Sequence, residues 1–248
     1  MADDKHADAA AGTDAGGEAA ARVAALDWPR IAADMDAFGV ANTGPLLSPA
    51  ACEALAALYD TDRFRSRVVM ARHGFGSGEY KYFAHPLPDP VAELRAAMYP
   101  HAAAIANAWA ERLGTDPYPP TLPEMLARCH AAGQEKPTPL MLRYGPGDYN
   151  CLHQDLYGAV AFPLQLVVLL TDPAEFAGGE LVLTEQRPRM QSRAEVVTLR
   201  RGEGALFTTS IRPRRGTKGD HRVMMRHGVS RLRSGTRHTL GIIFHDAA

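Results

Sequence analysis

The sequence predicts a mainly β domain with flanking helices, an α+β fold built around a sandwich or barrel. After Lys136 the chain contains seven short runs of apolar and β-branched residues, each bounded by turn residues. Before that point the pattern is helical, with cap and proline signals ahead of alanine-rich stretches. The length of 248 residues suits one large domain.

The beginning of the chain differs in composition from the rest. Residues 1–22 are rich in Ala, Gly and Asp and carry little apolar bulk, so we expect a disordered tail. No linker-like stretch divides the remainder, and residues 23–248 are expected to form a single domain. Within it we expect helical support over 23–134 and a β core over 138–246.

Three helices are indicated by their first residues. Ser48 supplies an N-cap ahead of a first-turn proline, and Asp89 is expected to do the same for a second helix. A third, short helix begins at Pro123. Pro100 falls inside the second helix, where its missing N–H and its ring are expected to kink or divide that helix.

The composition is that of a globular protein, with 46% hydrophobic and 22% charged residues. No apolar stretch approaches the roughly 18 residues of a transmembrane helix, and the first residues lack the pattern of a secretory signal. We therefore expect a cytoplasmic protein without membrane contact. The cysteines are odd in number and lack CxxC spacing, which favours buried free thiols. These are Cys52, Cys129 and Cys151.

Basic residues are concentrated near the C-terminal end. Residues 187–237 hold 14 of the 27 Lys and Arg residues but only three acidic residues, a local excess of eleven positive charges. Such an excess indicates a polyanion or an anionic small molecule as a partner. The alternative is that these arginines simply face water.

The stretch NCLHQDLYG carries the first candidate metal ligands. In an extended strand, residues two apart point to the same face, so His153 and Asp155 can converge on one point. His227, in MMRHGVS, is the natural third ligand of a 2-His-1-carboxylate facial triad, which suits non-haem Fe(II). Ten residues later Arg237 opens the last strand, and its planar guanidinium is suited to bind a carboxylate.

The order of these motifs resembles the 2-oxoglutarate- and Fe(II)-dependent dioxygenases over about residues 138–246, including the GGE turn at 178–180. The resemblance implies a double-stranded β-helix, or jelly-roll, with Fe(II) held by His153, Asp155 and His227. It also implies that Arg237 binds the distal carboxylate of 2-oxoglutarate. The expected enzyme is an oxidoreductase that uses O2 to hydroxylate a C–H bond, with release of succinate and CO2.

Three further residues are expected near the cosubstrate. Tyr144 stands where prolyl-hydroxylase-like relatives have a tyrosine that touches the same carboxylate. Gln165 is the only polar residue of FPLQLVVLL, and a buried amide needs hydrogen-bond partners, so we expect it to face cosubstrate or substrate. Thr239 shares the face of Arg237 and can add a hydroxyl contact.

The whole chain is similar to a bacterial family described as repair enzymes that oxidatively demethylate damaged nucleic acid. The resemblance extends over GFGSGEYKYF, LRYGPGDYNCLHQDLYG, TEQRPRMQSRAEV and HGVSRLRSGTRHTLGIIFHDA. It implies alkylated nucleic acid as substrate, with tyrosines stacking on an extruded base and arginines in loops holding phosphates. The candidate substrate residues are Tyr80, Tyr82, Arg212, Arg214 and Arg215.

Two alternatives remain open. Well-characterised alkylated-DNA demethylases carry Asn and Arg two and six residues after the arginine of the last strand, where this chain has Thr239 and Ile243. A hydroxylase of prolyl or other amino-acid side chains, or of a small metabolite, is therefore the main rival. A non-catalytic, cupin-like binding module is the alternative from another class, but it leaves the spacing of Arg237 unexplained.

Overall fold

The computed structural model describes residues 14–156, 158–187, 189–217 and 219–248, and its core is a pair of antiparallel sheets with helices packed outside. The helices are α1 (Asp14–Ala24), α2 (Trp28–Phe38), α3 (Pro49–Ala57), α4 (Asp89–Leu113) and α5 (Leu122–Ala131). The strands before residue 134 are β1 (Val40–Pro45), β2 (Phe64–Val69), β3 (Gly76–Ser77) and β4 (Glu79–Phe83).

Eleven strands follow in the C-terminal part of the described chain. They are β5 (Leu140–Tyr144), β6 (Tyr149–His153), β7 (Leu164–Leu169), β8 (Phe176–Gly178), β9 (Leu181–Gln186), β10 (Arg193–Val197), β11 (Glu203–Thr208), β12 (Ile211–Gly216), β13 (Gly219–Val229), β14 (Leu232–Gly235) and β15 (Arg237–Ile243).

The strands form two main sheets and a small ribbon. The larger sheet has the order β1-β11-β7-β15-β5-β4-β2, and the smaller sheet has the order β10-β9-β13-β6-β3, with β12 paired to β13. Strands β8 and β14 form the ribbon. Apolar side chains of the two sheets, among them Val167, Leu183, Phe207 and Met225, meet between them. This sandwich is the jelly-roll architecture that was expected.

The helices cover the outer face of the larger sheet. Leu166 and Ile242 of that sheet share one large apolar cluster with Met35 of α2 and with Leu94 and Met98 of α4. Strand β7 is consequently buried along its whole length, which explains why Gln165 is its only polar residue. The helices thus cover one face of the sheet, and its other face is left to form the site.

Helix α4 is also tied to the C-terminal residues by a buried ion pair. The Arg95 guanidinium lies 2.9 Å from an Asp246 carboxylate oxygen and donates to the Ile243 backbone oxygen at 3.0 Å. Both charged side chains are buried, so the loss of either would leave an unpaired charge in the interior.

Several sequence-based expectations hold at the helices. Ser48 caps α3, accepting a hydrogen bond from the Ala51 N–H at 3.3 Å. The third helix begins at Leu122, after the cap Thr121. Asp89 is not the cap of α4 but its first residue, and α4 runs past Pro100 as one helix instead of being divided.

The expectation of a disordered tail over 1–22 is wrong from residue 14 onward, and residues 1–13 lie outside the described residues. Residues 14–24 form α1, which packs against α4. Alanine has the highest helix propensity, and Ala19 and Val23 are buried, so a short apolar stripe suffices once a partner helix is present.

The purely helical reading of residues 23–134 is also wrong. Strands β1 and β2 form the two edges of the larger sheet, and β4 lies beside β2. These strands are short and mostly polar, and their pairing depends on the sheet beside them, which local patterns do not report.

The expectation of buried thiols holds for Cys52 and Cys129, but the free Cys151 is exposed. Among the described helices, none combines the length and the apolar character required to cross a bilayer.

Candidate metal centre

Three predicted ligands meet at one end of the smaller sheet. His153 ends β6 and lies directly opposite His227 of β13, with ring centroids 4.2 Å apart. Asp155 follows β6, and its two carboxylate oxygens lie 3.4 Å from Nε2 of His153 and 3.2 Å from Nε2 of His227. One ligand atom from each residue lies within 4.8 Å of the others. The structure therefore brings all three together.

Neighbouring groups fix the orientation of the two imidazoles. Nδ1 of His153 lies 2.8 Å from the backbone oxygen of Cys151, so Nδ1 carries a proton and Nε2 is the atom that can bind a cation. Nε2 of His227 lies 3.0 Å from the Gln165 amide nitrogen, and the Phe207 ring lies beside this imidazole at 4.8 Å. Both Nε2 atoms face the Asp155 carboxylate, as a shared cation would require.

The electrostatics of the cluster favour an ionised carboxylate and one neutral imidazole. Burial acts to raise the pKa of Asp155, but its hydrogen bonds with both histidines outweigh burial and hold that pKa well below the ordinary value. Burial lowers the pKa of His227. Burial also acts to lower the pKa of His153, yet its contact with Asp155 leaves that pKa raised. A cation would replace the proton that this arrangement attracts.

Arg237 lies deep in the same cavity. Its side chain is buried between the rings of Tyr144 and Phe176, whose centroids are 5.8 and 6.0 Å from its Cζ. Burial lowers the pKa of Arg237 to about 10, partly offset by Tyr144 and Glu180. Even so, the guanidinium remains protonated at neutral pH, an isolated buried cation suited to an anionic ligand.

Four buried polar atoms around this cavity have no hydrogen-bond partner among the described residues. They are the Tyr144 hydroxyl, Oε1 of Gln165, Nδ1 of His227 and Nη1 of Arg237. Buried polar groups are rarely left unpaired, so such a group calls for an explanation. Two imidazoles and a carboxylate suit Fe(II), and an unpaired guanidinium beside them suits a carboxylate-bearing ligand. The residues present therefore fit an iron centre with 2-oxoglutarate.

The cavity has a volume of about 340 Å³ and mainly apolar walls. Gln165 and Thr239 line it together with Arg237. Tyr144 is not one of the lining residues, although its ring flanks Arg237.

The mouth of the cavity is formed by three exposed apolar side chains that the sequence did not indicate. They are Phe75, Leu152 and Leu156, and the Phe75 ring stacks on that of His73 at 5.3 Å. The run HGFGSG before β4 is glycine-rich and has no periodic pattern of apolar residues. Only the tertiary fold places it beside β6.

The two tyrosines expected to stack on a substrate lie in different places. Tyr80 of β4 lines the cavity. Tyr82 is buried beneath Arg65, whose Cζ lies 4.6 Å from its ring centroid, and it does not line the cavity. The structure thus leaves Tyr80 accessible and Tyr82 enclosed.

The assignment of Arg212 to substrate phosphates is wrong. Arg212 lies in strand β12, not in a loop, and is fully buried against the buried Glu185 carboxylate. It also donates to the backbone oxygens of Asp36 at 2.7 Å and Ala37 at 3.2 Å, at the end of α2. A cation suits the carbonyl end of a helix, so this residue has a structural role.

The other two arginines of β12 differ from each other because side chains alternate along a strand. Arg214 shares the inward direction of Arg212 and lies 2.8 Å from Glu185. Arg215 points outward, with 81% of its side chain exposed, 3.8 Å from Asp220. Only Arg215 of the three remains largely free to meet a partner.

Comparison with known proteins gives one family match. The model of the Oxygenase-NA family, described as an oxygenase catalysing oxidative methylation of damaged DNA, matches residues 78–247. Two curated proteins from two strains of Mycobacterium tuberculosis, both named only as uncharacterised, are 49% identical over 168 residues. Each match covers 67% of this chain and 72% of the relative.

Solved structures share the fold at low sequence identity. A prolyl hydroxylase from Trichoplax adhaerens, solved with a hypoxia inducible factor peptide fragment, has a TM-score of 0.58 at 13% identity and covers 94% of both chains. An oxidoreductase of the 2OG-Fe(II) oxygenase family from Burkholderia pseudomallei has a TM-score of 0.54 at 15% identity, covering 89% of this chain and 92% of that chain. These similarities confirm the double-stranded β-helix.

Proposed function

Because this chain belongs to the Oxygenase-NA family of oxygenases, we propose that it is a 2-oxoglutarate- and Fe(II)-dependent dioxygenase that hydroxylates a C–H bond of its substrate. The observation that carries the proposal is the convergence of His153, Asp155 and His227 within 4.8 Å, in a cavity that also contains the unpaired guanidinium of Arg237. Membership in a family of enzymes also argues against the alternative of a non-catalytic, cupin-like binding module.

The protein residues bind and orient the reactants. His153, Asp155 and His227 would hold Fe(II) as its three protein ligands. Bound Fe(II) and 2-oxoglutarate supply the oxidising chemistry, in which O2 is consumed, 2-oxoglutarate yields succinate and CO2, and the substrate is hydroxylated.

Arg237 and its neighbours select the cosubstrate. The guanidinium binds the distal carboxylate, and the Tyr144 hydroxyl and the Thr239 side chain, which lies on the same strand face, complete the contacts. The Gln165 amide lies 3.0 Å from Nε2 of His227, the atom that would bind the metal, so with Fe(II) held there the amide would be left to contact the cosubstrate. The apolar walls, including Leu142 and Val167, keep water away from the reacting groups.

The proposed substrate is alkylated nucleic acid. The family description names damaged DNA, and hydroxylation of an N-methyl group gives a product that loses formaldehyde spontaneously. Tyr80 on the cavity wall and Phe75 at its mouth offer aromatic surface for a base.

The exposed free Cys151 suits a reducing compartment, so we place the reaction in the cytoplasm.

A second candidate is the hydroxylation of an amino-acid side chain or a small metabolite. It is favoured by the cavity walls, which among the described residues contain one arginine, Arg237, and no lysine. A neutral aliphatic group would fit such walls without any phosphate contact.

The test is succinate release from 2-oxoglutarate by the purified full chain, with and without Fe(II). We expect iron-dependent release that is abolished in His227→Ala and retained in His221→Ala, an exposed histidine on the same strand. Methylated oligonucleotides should stimulate turnover, whereas stimulation by proline-containing peptides alone would favour the second candidate. Iron-independent release, or none, would contradict the oxygenase assignment.

A further inference from the structure

The outward face of the smaller sheet carries exposed arginines between apolar side chains. Burial alternates along β13, with His227 facing inward and Arg222, Met224 and Arg226 facing solvent. Ile211 of β12 lies opposite Met224 and is exposed as well. We call these four outward side chains the outer arginine face.

The charges of this face are not compensated. In the parts of the chain that the structure describes, neither Arg222 nor Arg226 has an ion pair or a side-chain hydrogen bond. Across β9, the strand neighbour of Met224 is Gln186 and that of Arg226 is Thr184, both uncharged. The positive charges of Arg222 and Arg226 therefore remain without a counter-charge on this surface.

The carboxylates of the same region are already occupied. Glu185, on the inward side, lies against Arg212 and Arg214. Asp220, the second residue of β13, accepts hydrogen bonds from the Arg112 guanidinium at 2.9 and 3.1 Å. Neither acid is available to Arg222 or Arg226, in contrast to the inward arginines, each of which has Glu185 as a partner.

The outer arginine face continues to the mouth of the cavity. Strand β6 pairs with β13 at His153 and His227, immediately after Arg226 in the chain. Leu152 of β6 is exposed and lines the cavity mouth. Four residues of an extended strand cover about 13 Å, so Arg222 and Arg226 form a row that leads toward this opening.

We infer that the outer arginine face binds the phosphodiester backbone of a single-stranded nucleic acid whose reacting base enters the cavity past Leu152 and Phe75. A backbone with evenly spaced negative charge matches a row of unpaired arginines, and Met224 between them accommodates the apolar surface of sugars or bases. An unpaired strand delivers a base without the cost of extruding it from a duplex. The inference rests on the proposed function for the identity of the substrate.

The test uses the full chain without Fe(II) or 2-oxoglutarate, so binding is measured apart from catalysis. Fluorescence anisotropy with a labelled oligothymidylate gives the affinity between about 50 and 200 mM salt. In the double variant Arg222→Ala/Arg226→Ala, the slope of log affinity against log salt should become shallower by about 1.4, since each single-strand phosphate contact contributes about 0.7. The variant Arg200→Ala, at an exposed arginine in the loop after β10, should keep the wild-type slope.

Three results would overturn the inference. The first is a double variant with the wild-type affinity and salt slope. The second is wild-type protein that binds a polyglutamate peptide as tightly as the oligonucleotide, which would indicate an acidic protein as partner. Photo-crosslinking of a thiouridine oligonucleotide should label the peptide that contains Met224. Labels found only on the helices that cover the larger sheet would contradict the inference. Succinate release by wild-type protein is a separate assay, so failure of nucleic-acid binding and failure of the oxygenase assignment remain distinguishable.

Discussion

Gly179 lies directly against the side chain of Arg237. A β-carbon at position 179 would stand 3.0 Å from Cδ of Arg237 and 2.8 Å from Cδ1 of Leu232. The backbone of Gly179 also has a φ of +72°, in the left-handed region. The GGE turn therefore leaves the space in which the Arg237 stem lies, between the rings of Tyr144 and Phe176.

The variant Gly179→Ala should weaken 2-oxoglutarate binding by about tenfold, equivalent to about 1.4 kcal/mol, because the new methyl group displaces the guanidinium from its position. The measurement is calorimetric titration of the Mn(II)-loaded protein. Binding of 2-oxobutyrate, which lacks the distal carboxylate, should be unchanged. Equal weakening of both ligands would mean a general disturbance of the site.

A matched control separates displacement of Arg237 from backbone strain. Gly133 has a φ of +77°, and a β-carbon there would meet no atom within 4 Å. Gly133→Ala should carry a similar strain yet keep the wild-type affinity for 2-oxoglutarate.

Tyr144→Phe should have opposite effects on ligand binding and on stability. The hydroxyl is buried and has no hydrogen-bond partner of ordinary geometry among the residues that the structure describes, so its removal should leave the free energy of unfolding unchanged or raise it. If the hydroxyl donates to the distal carboxylate, 2-oxoglutarate affinity should fall by about 1 kcal/mol. Urea unfolding and calorimetry measure the two quantities, and a large loss of stability would contradict the account.

Glu185→Gln should destabilise the protein by about 3–5 kcal/mol, because it leaves the buried Arg212 without its counter-charge. Burial acts to raise the pKa of Glu185, but Arg187, Arg212 and Arg214 outweigh it and keep this pKa low. Chemical unfolding gives the free energy. Glu195→Gln on β10 changes the net charge equally and is the control. If the free energy of unfolding fell by about 1 kcal/mol or less, the Arg212–Glu185 pair would stabilise the protein no more than a surface ion pair does.

Stability should decrease in mild acid because of His245. Burial, with a smaller contribution from Arg95, lowers the pKa of this fully buried imidazole from 6.5 to about 4. The folded state thus binds its proton less readily than the unfolded state. The neutral His245 therefore contributes fully to the free energy of unfolding above pH about 6.5. This contribution is lost as the pH falls toward 4, a loss on the order of 3 kcal/mol.

The variant His245→Asn tests this pH dependence. The asparagine oxygen can still accept the hydrogen bond that Phe162 N–H donates to Nδ1 of His245 at 3.1 Å. Unfolding curves between about pH 7 and 4 should become flatter in the variant. Equal slopes in variant and wild type would assign the acid sensitivity to other groups.

Local patterns predicted the β core and the metal cluster for physical reasons. Strand alternation places His153 and Arg237 on inward faces wherever those strands pair, and the long apolar run around Gln165 requires a sheet covered on both sides. Helix caps such as Ser48 are chemical signals confined to a few residues.

The pairing of strands and helices in the tertiary fold determines side-chain directions and positions that the sequence alone does not indicate. Arg212 and Arg222 belong to the same basic segment, yet one is buried on Glu185 and the other faces solvent, because strand register fixes the direction of each side chain. Phe75 reaches the cavity mouth only through the pairing of β3 with β6. Helix α1 depends likewise on α4, a partner that its own composition does not reveal.

The most direct test of the central claim is the stoichiometry and residue dependence of metal binding. Titration of the metal-free protein with Mn(II), followed by electron paramagnetic resonance, should give one site per chain. That site should be lost in Asp155→Ala and in His227→Ala and kept in His221→Ala. One tight site that survives the loss of Asp155 or His227 would contradict the claim that these residues form the catalytic centre.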